Sequence, residues 1–126
     1  MAAKILVVDD DESMRELLRL HLANAGYEVE LADDAVTAGR ALLRSPPDLV
    51  LVDVDMPFMD GYEFVSLLKS DALTMHIPVI FLTAAEHGRS RGYELGAVAY
   101  LTKPLLVNQL LAAVAKHVPE GRQPIA

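Results

Sequence analysis

Aspartates directly following two short apolar segments are the residues of this chain best suited to chemistry. Asp9, Asp10 and Asp11 come after one segment, and Asp53 and Asp55 come after another. If both segments are neighbouring strands of a parallel sheet, these carboxylates lie at the edge where open α/β sheets bind ligands. Crowded carboxylates repel each other, and a hard divalent cation with oxygen ligands relieves that repulsion. Because the chain has no cysteine and no histidine pair at ligand spacing, we predict a Mg²⁺ site.

One of these acids has a simpler structural explanation. Aspartate is a preferred N-cap residue, and its charge suits the positive end of a helix. We assign this role to Asp11. Capping explains only one carboxylate, and it leaves Asp9, Asp10 and Asp53 crowded together, so the set still indicates a metal or phosphate site.

A hydroxyl and an ammonium group are expected at the same edge of the sheet. Thr83 ends a further apolar run, and Lys103 follows the last predicted strand. Either residue alone would be an ordinary strand-end threonine or surface lysine. Phosphoryl transfer needs a nucleophile, a metal to neutralise the phosphoryl oxygens, and donors placed on the transferring group. Each of these roles has a candidate here, so the combination indicates phosphoryl transfer.

The strands that must position these residues are predicted from hydrophobic patterns. Continuous apolar runs at 5–8, 49–52 and 79–82 are typical of strands buried on both faces. Weaker strands are predicted at 27–31 and 99–102. Since helical patterns separate the strands, the fold class is α/β, with a parallel sheet covered on both faces.

Five helices are predicted between and after these strands. The first ends near Gly26, the next three span about 34–44, 60–70 and 89–95, and the last follows Pro104. The first helix is expected to bury Met14, Leu17, Leu18 and Leu22. The last helix is expected to bury Val107, Leu110, Leu111, Val114 and Val118. In the loop after the third strand, Met56, Phe58 and Met59 could form a partner patch, but partial packing is the commoner explanation.

Length, composition and charge exclude several classes of protein. With 126 residues, 52% of them hydrophobic and 23% charged, the chain should form one domain at 1–119, with 120–126 as a C-terminal tail or linker. A net charge of −7 argues against direct nucleic acid binding, which depends on Lys and Arg. No apolar stretch approaches the roughly 18 residues of a membrane span, so we expect a cytoplasmic protein without membrane contact.

The chemistry-bearing residues lie in segments that resemble a known family. The segments are VVDD at 7–10, LVDVDMPFMDG at 51–61, FLTA at 81–84 and YLTKP at 100–104. Together they resemble the receiver domains of bacterial response regulators in two-component signalling, including the chemotaxis regulators, over residues 4–118. The resemblance implies a flavodoxin-like, doubly wound sheet of five parallel strands in the order 2-1-3-4-5, with five helices.

Carried over position by position, the resemblance also implies a role for each acid. Asp53 would be the phosphoacceptor, supplied by a sensor histidine kinase, a phosphotransfer protein or a small phosphodonor. Asp10 and Asp53 would bind Mg²⁺ (or Mn²⁺) directly, Asp9 mainly through water, and Asp55 through its backbone carbonyl. Asp55 and Ala85 would flank the path of attacking water, which leaves the lifetime of the phosphoryl group open.

The same resemblance implies how phosphorylation would be sensed. Thr83 and Lys103 would contact the phosphoryl group, and Tyr100 would report the change by switching rotamer. The Lys103–Pro104 peptide would be cis. The surface of the fourth helix, fifth strand and fifth helix would signal to a downstream effector or output domain, and a phosphorylation-dependent dimer is a further expectation. Such a protein is a switch that modifies itself rather than an enzyme acting on an external substrate.

Three other functions compete with this interpretation. Asp53 and Asp55 also resemble the nucleophile and acid of haloacid-dehalogenase-type phosphatases, although Pro57 and the acids after the first strand have no place there. A flavodoxin-like cofactor binder would share the strand order, but the acidic loop after the first strand would repel a phosphate. A degenerate receiver would act as an interaction module only, which the intact set of acids, threonine and lysine disfavours.

Overall fold

The protein is described here by a computed structural model that covers residues 2–84 and 89–119. Its strands are β1 (Lys4–Val8), β2 (Glu28–Ala32), β3 (Leu49–Asp53), β4 (Val79–Thr83) and β5 (Ala99–Thr102). Its helices are α1 (Glu12–Asn24), α2 (Ala35–Arg44), α3 (Gly61–Ser70), α4 (Arg89–Glu94) and α5 (Val107–His117). Within the covered ranges, no helix combines the length and apolar character that crossing a bilayer requires. The segment 120–126 and Ala85 lie outside the described residues.

The sheet has the predicted order, β2-β1-β3-β4-β5, and every neighbouring pair is parallel. The predicted α/β class and flavodoxin-like topology are therefore confirmed. All residues of β3 and β4 are buried, as their unbroken apolar sequences predicted. In the sheet register, Val8 pairs with Val52, and Asp53 pairs with Leu82. This register brings the carboxyl ends of the three inner strands to one edge.

Two hydrophobic cores lie on opposite faces of the sheet. Side chains alternate along each strand, so Leu6, Val8 and Phe81 pack on the face covered by α2 and α3. Ile5 and Ile80 point the other way, toward α1 and α5. The sheet therefore stays buried on both sides and holds its edge residues in place.

Helix faces were predicted less accurately than strands. Leu18 and Leu22 of α1 are buried as expected, but Leu17 is 45% exposed. Val107 begins α5 and is 37% exposed. In both cases the predicted stripe was too broad for a helix that contacts the sheet along a narrow line. In the loop after β3, Phe58 is fully exposed, so the prediction of partial packing was wrong for that residue.

The β2 strand forms one edge of the sheet and carries two glutamates. Glu28 is exposed, and Glu30 accepts an ion pair from Lys4 at 2.9 Å. Arg44, the last residue of α2, also pairs with Glu30. The open edge of the sheet is thus lined by charged side chains.

Candidate functional site

The loop after β1 holds the first acid of the site in a fixed position. The backbone N–H of Asp9 donates to the carbonyl of Ala32 at 3.1 Å, which continues the β1–β2 pairing by one residue. The N–H of Asp11 donates to Asp9 Oδ1 at 3.0 Å, and Arg15 Nη1 donates to the Asp9 carbonyl at 2.8 Å. Asp11 also caps α1 as predicted, since its side chain accepts from the backbone N–H groups of Ser13 and Met14. The Asp9 carboxylate is fully buried as a result.

Three carboxylates converge at this edge of the sheet. Asp9, Asp10 and Asp53 each offer one oxygen, and these oxygens all lie within 4.8 Å of one another. Asp9 and Asp53 are buried, whereas Asp10 is exposed, so the cluster opens to solvent on one side. The convergence expected from strands β1 and β3 is therefore present in the structure.

Lys103 contacts two of the three acids. Its Nζ lies 3.3 Å from Asp9 Oδ2 and 3.3 Å from Asp53 Oδ1. When ionised, three carboxylates and one ammonium leave two negative charges uncompensated by direct contact. Hard oxygen donors with that residual charge suit Mg²⁺ or another hard divalent cation. The residues of the cluster thus fit the predicted ion by both donor type and charge.

The protonation of Asp53 follows from its surroundings. Burial, followed by the charge of Asp9, raises the pKa of Asp53 from 3.8 to about 6, although Lys103 and the backbone N–H of Asp55 act to lower it. Burial alone would lower the pKa of Lys103, but the charges of Asp53 and Asp9 outweigh it and raise that pKa. At neutral pH Asp53 is therefore mostly ionised and lies beside a protonated Lys103.

With this geometry established, comparison with known proteins gives the family. Residues 5–115 match the family described as the response regulator receiver domain. The chain belongs to this family. The receiver resemblance inferred from the four motifs is therefore confirmed.

Curated relatives of this receiver are longer proteins. Response regulator PleD of Caulobacter vibrioides is 45% identical over 116 residues, which cover 90% of this chain and 26% of that protein. The phosphate regulon transcriptional regulatory protein PhoB of Klebsiella pneumoniae is 40% identical over 128 aligned residues, covering 100% of this chain and 56% of that protein. The chain thus spans about a quarter to about half the length of these relatives.

Solved structures share the fold over nearly the whole receiver. Chemotaxis protein CheY4 of Vibrio cholerae is 32% identical with a TM-score of 0.88, covering 94% of this chain and 100% of that one. The receiver domain of a sensor histidine kinase from Pseudomonas aeruginosa is 27% identical with a TM-score of 0.84, covering 93% and 98% of the two chains. That second structure is described as having a magnesium ion coordinated in the active site cleft.

The other predicted site residues occupy the same edge of the receiver but differ in exposure. Thr83 is buried at the end of β4. Its backbone carbonyl accepts a hydrogen bond from the backbone N–H of Lys103 at 2.8 Å. The Lys103–Pro104 peptide is cis, as the resemblance implied. Asp55 is exposed, and its carboxylate is not among the three that converge.

Tyr100 lies inside the receiver rather than at its surface. Only 8% of the residue is exposed, and its hydroxyl donates to the Tyr62 hydroxyl at 2.9 Å. Its ring lies 5.2 Å from that of Phe81 and 5.3 Å from that of Tyr93, measured between centroids. Burial, followed by the hydrogen bond to Tyr62, raises the pKa of Tyr100. The structure thus shows one rotamer of the expected switch residue, turned inward.

Of the residues that support the site, Arg15, Tyr62 and Gly92 were not singled out by sequence reasoning, and Gly61 was assigned only to the start of the third helix. Arg15 and Tyr62 act through the contacts described above. A Cβ on Gly61 would lie 2.3 Å from the Asp53 carbonyl oxygen, and a Cβ on Gly92 would lie 1.8 Å from the Tyr100 hydroxyl. Residue type is the only sign of these two glycines in the sequence, because tertiary contacts are what exclude a Cβ at either position.

Proposed function

We propose that this receiver accepts a phosphoryl group on Asp53 in a reaction that depends on Mg²⁺ or Mn²⁺. The observation that carries the proposal is the convergence of three carboxylates within 4.8 Å, with Lys103 in contact with two of them. Family membership supports this assignment, because phosphoacceptance is the activity that the receiver resemblance implies for this residue.

The protein groups that would hold the ion differ in whether their oxygens already accept other contacts. Asp10 and Asp53 would bind it directly, together with the backbone carbonyl of Asp55. Both oxygens of Asp9 already accept contacts, from the Asp11 N–H and from Lys103, which supports a role for Asp9 through water. When bound, the cation would neutralise charge on the oxygens of the transferring group.

The chemical step assigned to Asp53 is nucleophilic. One carboxylate oxygen forms a bond to the phosphorus of the donor, while the P–N bond of a phosphohistidine or the P–O bond of a small phosphodonor breaks. The leaving group keeps the electron pair, and the product is an acyl phosphate on Asp53. Because the pKa of Asp53 is raised only to about 6, its carboxylate is mostly deprotonated at neutral pH and has a lone pair available for attack. Lys103 then loses one carboxylate partner and can contact the phosphoryl group.

We assign the response to phosphorylation to Thr83 and Tyr100. Thr83 would donate its hydroxyl to the phosphoryl group, and Tyr100 would change rotamer on the surface formed by α4, β5 and α5. The partners are a sensor histidine kinase or phosphotransfer protein upstream and an effector or output domain downstream, in the cytoplasm. The receiver modifies itself and turns over no external substrate.

The test is intact mass after incubation with acetyl phosphate, with and without Mg²⁺. We expect a gain of about 80 Da, one phosphoryl group, that needs the cation and disappears in Asp53→Asn. Asp55→Asn is the matched control, since it keeps the backbone carbonyl and changes only an exposed carboxylate. That variant should still be phosphorylated.

Two outcomes would overturn the proposal. If no adduct forms under any condition, including rapid quenching, the domain acts as a degenerate interaction module. If wild type releases phosphate continuously and Asp55→Asn abolishes that release, the phosphatase interpretation is correct.

A further inference from the structure

An apolar groove lies between helices α2 and α3, away from the acidic cluster. It has a volume of about 530 Å³, and its floor includes Leu42, Phe64 and Leu68, with residues 57–59 closing one end. A groove of this size falls within the range of natural binding sites. None of the chain segments that the structure describes covers it.

The rim of the groove exposes large apolar side chains. Val36 is 65% exposed, Leu43 is 74% exposed, and Leu67 is 60% exposed. Phe58 is fully exposed and adopts a left-handed backbone conformation with φ of 69°, which is unfavourable for a residue other than glycine. Contiguous exposed apolar surface of this kind marks interaction sites in soluble proteins.

The centre of the groove wall is formed by a glycine that the receiver's own packing does not require. Gly39 lies in the middle of α2, where glycine is less favourable than alanine. A Cβ built at this position would meet no atom within 4 Å. A side chain larger than a methyl group at this position would project into the groove, and no close approach within the described chain explains the glycine.

The charges at the groove constrain what can bind there. The charged residues that line it are both acids, Asp34 at the start of α2 and Asp71 just after α3. Each helix has ten residues, so the two acids mark opposite ends of a groove about 15 Å long. Arg40 is exposed and is not part of the groove wall. A second copy of this chain would bring a net charge of −7 toward these acids, which disfavours self-association through this face.

We propose that this groove binds an amphipathic helix of a partner protein. The partner's apolar stripe would lie on Leu42, Phe64 and Leu68, against the rim residues. Lysine or arginine side chains near its two ends would approach Asp34 and Asp71. Side chains about eleven residues apart share one face of a helix and span the length of the groove. This docking function goes beyond phosphoacceptance and does not require Asp53 to be modified.

A synthetic helical peptide of about 14 residues tests the proposal directly. The probe carries arginines about eleven residues apart, with leucines between them on the same face, and a fluorescent label. Binding to the unphosphorylated receiver is measured by fluorescence anisotropy in EDTA, so the result does not depend on the acidic site. We expect saturable binding with a Kd on the order of 10 μM.

Variants of the groove and a matched variant of another surface distinguish specific docking from general attraction. Leu43→Glu, Leu67→Glu and the groove-filling Gly39→Leu should each weaken binding by about tenfold or more. Gly39→Ala should bind as wild type because its methyl group leaves the groove open. Leu20→Glu changes an exposed leucine of α1 on the opposite face of the sheet and should change the Kd by less than about twofold.

Three results would overturn the proposal. The first is Leu20→Glu weakening binding as much as Leu43→Glu does. The second is a peptide with glutamates in place of the arginines binding equally well. The third is a concentration-dependent dimer that Gly39→Leu abolishes, which would assign the groove to a second copy of the chain. Since none of these measurements involves phosphorylation, they leave the proposed role of Asp53 untouched.

Discussion

Lys103 stands between two buried carboxylates, and this arrangement has a thermodynamic cost in the protein without metal. A single ammonium contacts both Asp9 and Asp53, so the two acids share one compensating charge. Burial and the charge of Asp9 make ionised Asp53 less favourable in the folded chain than in the unfolded one. The acidic cluster should therefore lower the stability of the fold without metal, although the proposed function requires the cluster.

Asp53→Asn should raise the free energy of unfolding in EDTA by roughly 1–3 kcal/mol near pH 7.5. The pKa of Asp53 is about 6 in the folded chain against an ordinary 3.8. The folded chain thus binds the Asp53 proton more tightly than the unfolded chain does. The stability that this proton contributes is fully present below pH 3.8 and is lost as the pH rises through about 6. The advantage of the variant should shrink as pH falls to about 4. Urea unfolding followed by circular dichroism measures it, since the chain has no tryptophan.

Asp55→Asn provides the control for this prediction because it changes an exposed acid two residues after Asp53. It should not reproduce the gain in the free energy of unfolding near pH 7.5. A less stable Asp53→Asn protein near pH 7.5, or an advantage that grows on acidification, would contradict the pKa assigned to Asp53.

At the scale of the elements, the start of α3 contacts the backbone at the end of β3. The N–H of Gly61 donates to the carbonyl of Val54 at 2.8 Å, directly after the end of β3. Asp60 caps the same helix by accepting the N–H of Glu63 at 2.8 Å. The start of α3 is thereby held against the backbone that carries Asp53.

Gly61→Ala should destabilise the fold by about 1–3 kcal/mol, since its Cβ would overlap backbone that cannot easily move. The new atom would lie 2.3 Å from the Asp53 carbonyl oxygen and 2.9 Å from Val54 Cα. Gly39→Ala is the matched control, because its Cβ meets nothing and alanine favours a helix by up to about 1 kcal/mol. Urea unfolding of both variants checks the prediction. Equal stabilities would mean that α3 can shift freely away from β3.

Helix α4 and strand β5 meet at a second glycine, which makes room for the inward rotamer of Tyr100. In Gly92→Ala the Cβ would lie 1.8 Å from the Tyr100 hydroxyl and 2.4 Å from Cζ. We expect the ring to leave its position and to lose its contact with Tyr62 in the unphosphorylated protein. Nuclear Overhauser effects between the two rings should disappear in Gly92→Ala and persist in Tyr62→Phe, which removes only a hydroxyl. Their persistence in Gly92→Ala would show that α4 moves instead of the tyrosine.

For the molecule as a whole, the sequence was most informative where burial is complete. The strands β1, β3 and β4 are unbroken apolar runs, and their alternation with helices limits the topology to few possibilities. Acids that follow adjacent parallel strands must converge at one edge, so Asp9, Asp10 and Asp53 could be grouped without coordinates. Asp11 could be assigned as a cap because capping depends on the local chain alone.

Other features depend on contacts between distant segments and could not be predicted in this way. Tyr62 and Tyr100 are 38 residues apart, and nothing in either local sequence indicates that their hydroxyls meet. The exposure of Leu17 depends on how α1 lies against the sheet rather than on its spacing. Phe58 lies in the loop between β3 and α3, where no periodic pattern indicates which side chains are buried.

The charged edge of the sheet also bears on how this protein behaves when crowded. An edge strand with unpaired backbone groups is a template on which another chain can add a strand and begin an aggregate. Here β2 presents Glu28 and Glu30 along that edge, and Lys4 and Arg44 hold Glu30 in place. An incoming copy would have to bury these charges or align identical glutamates with its own. We therefore expect the charged side chains of β2 to disfavour the addition of another strand at this edge.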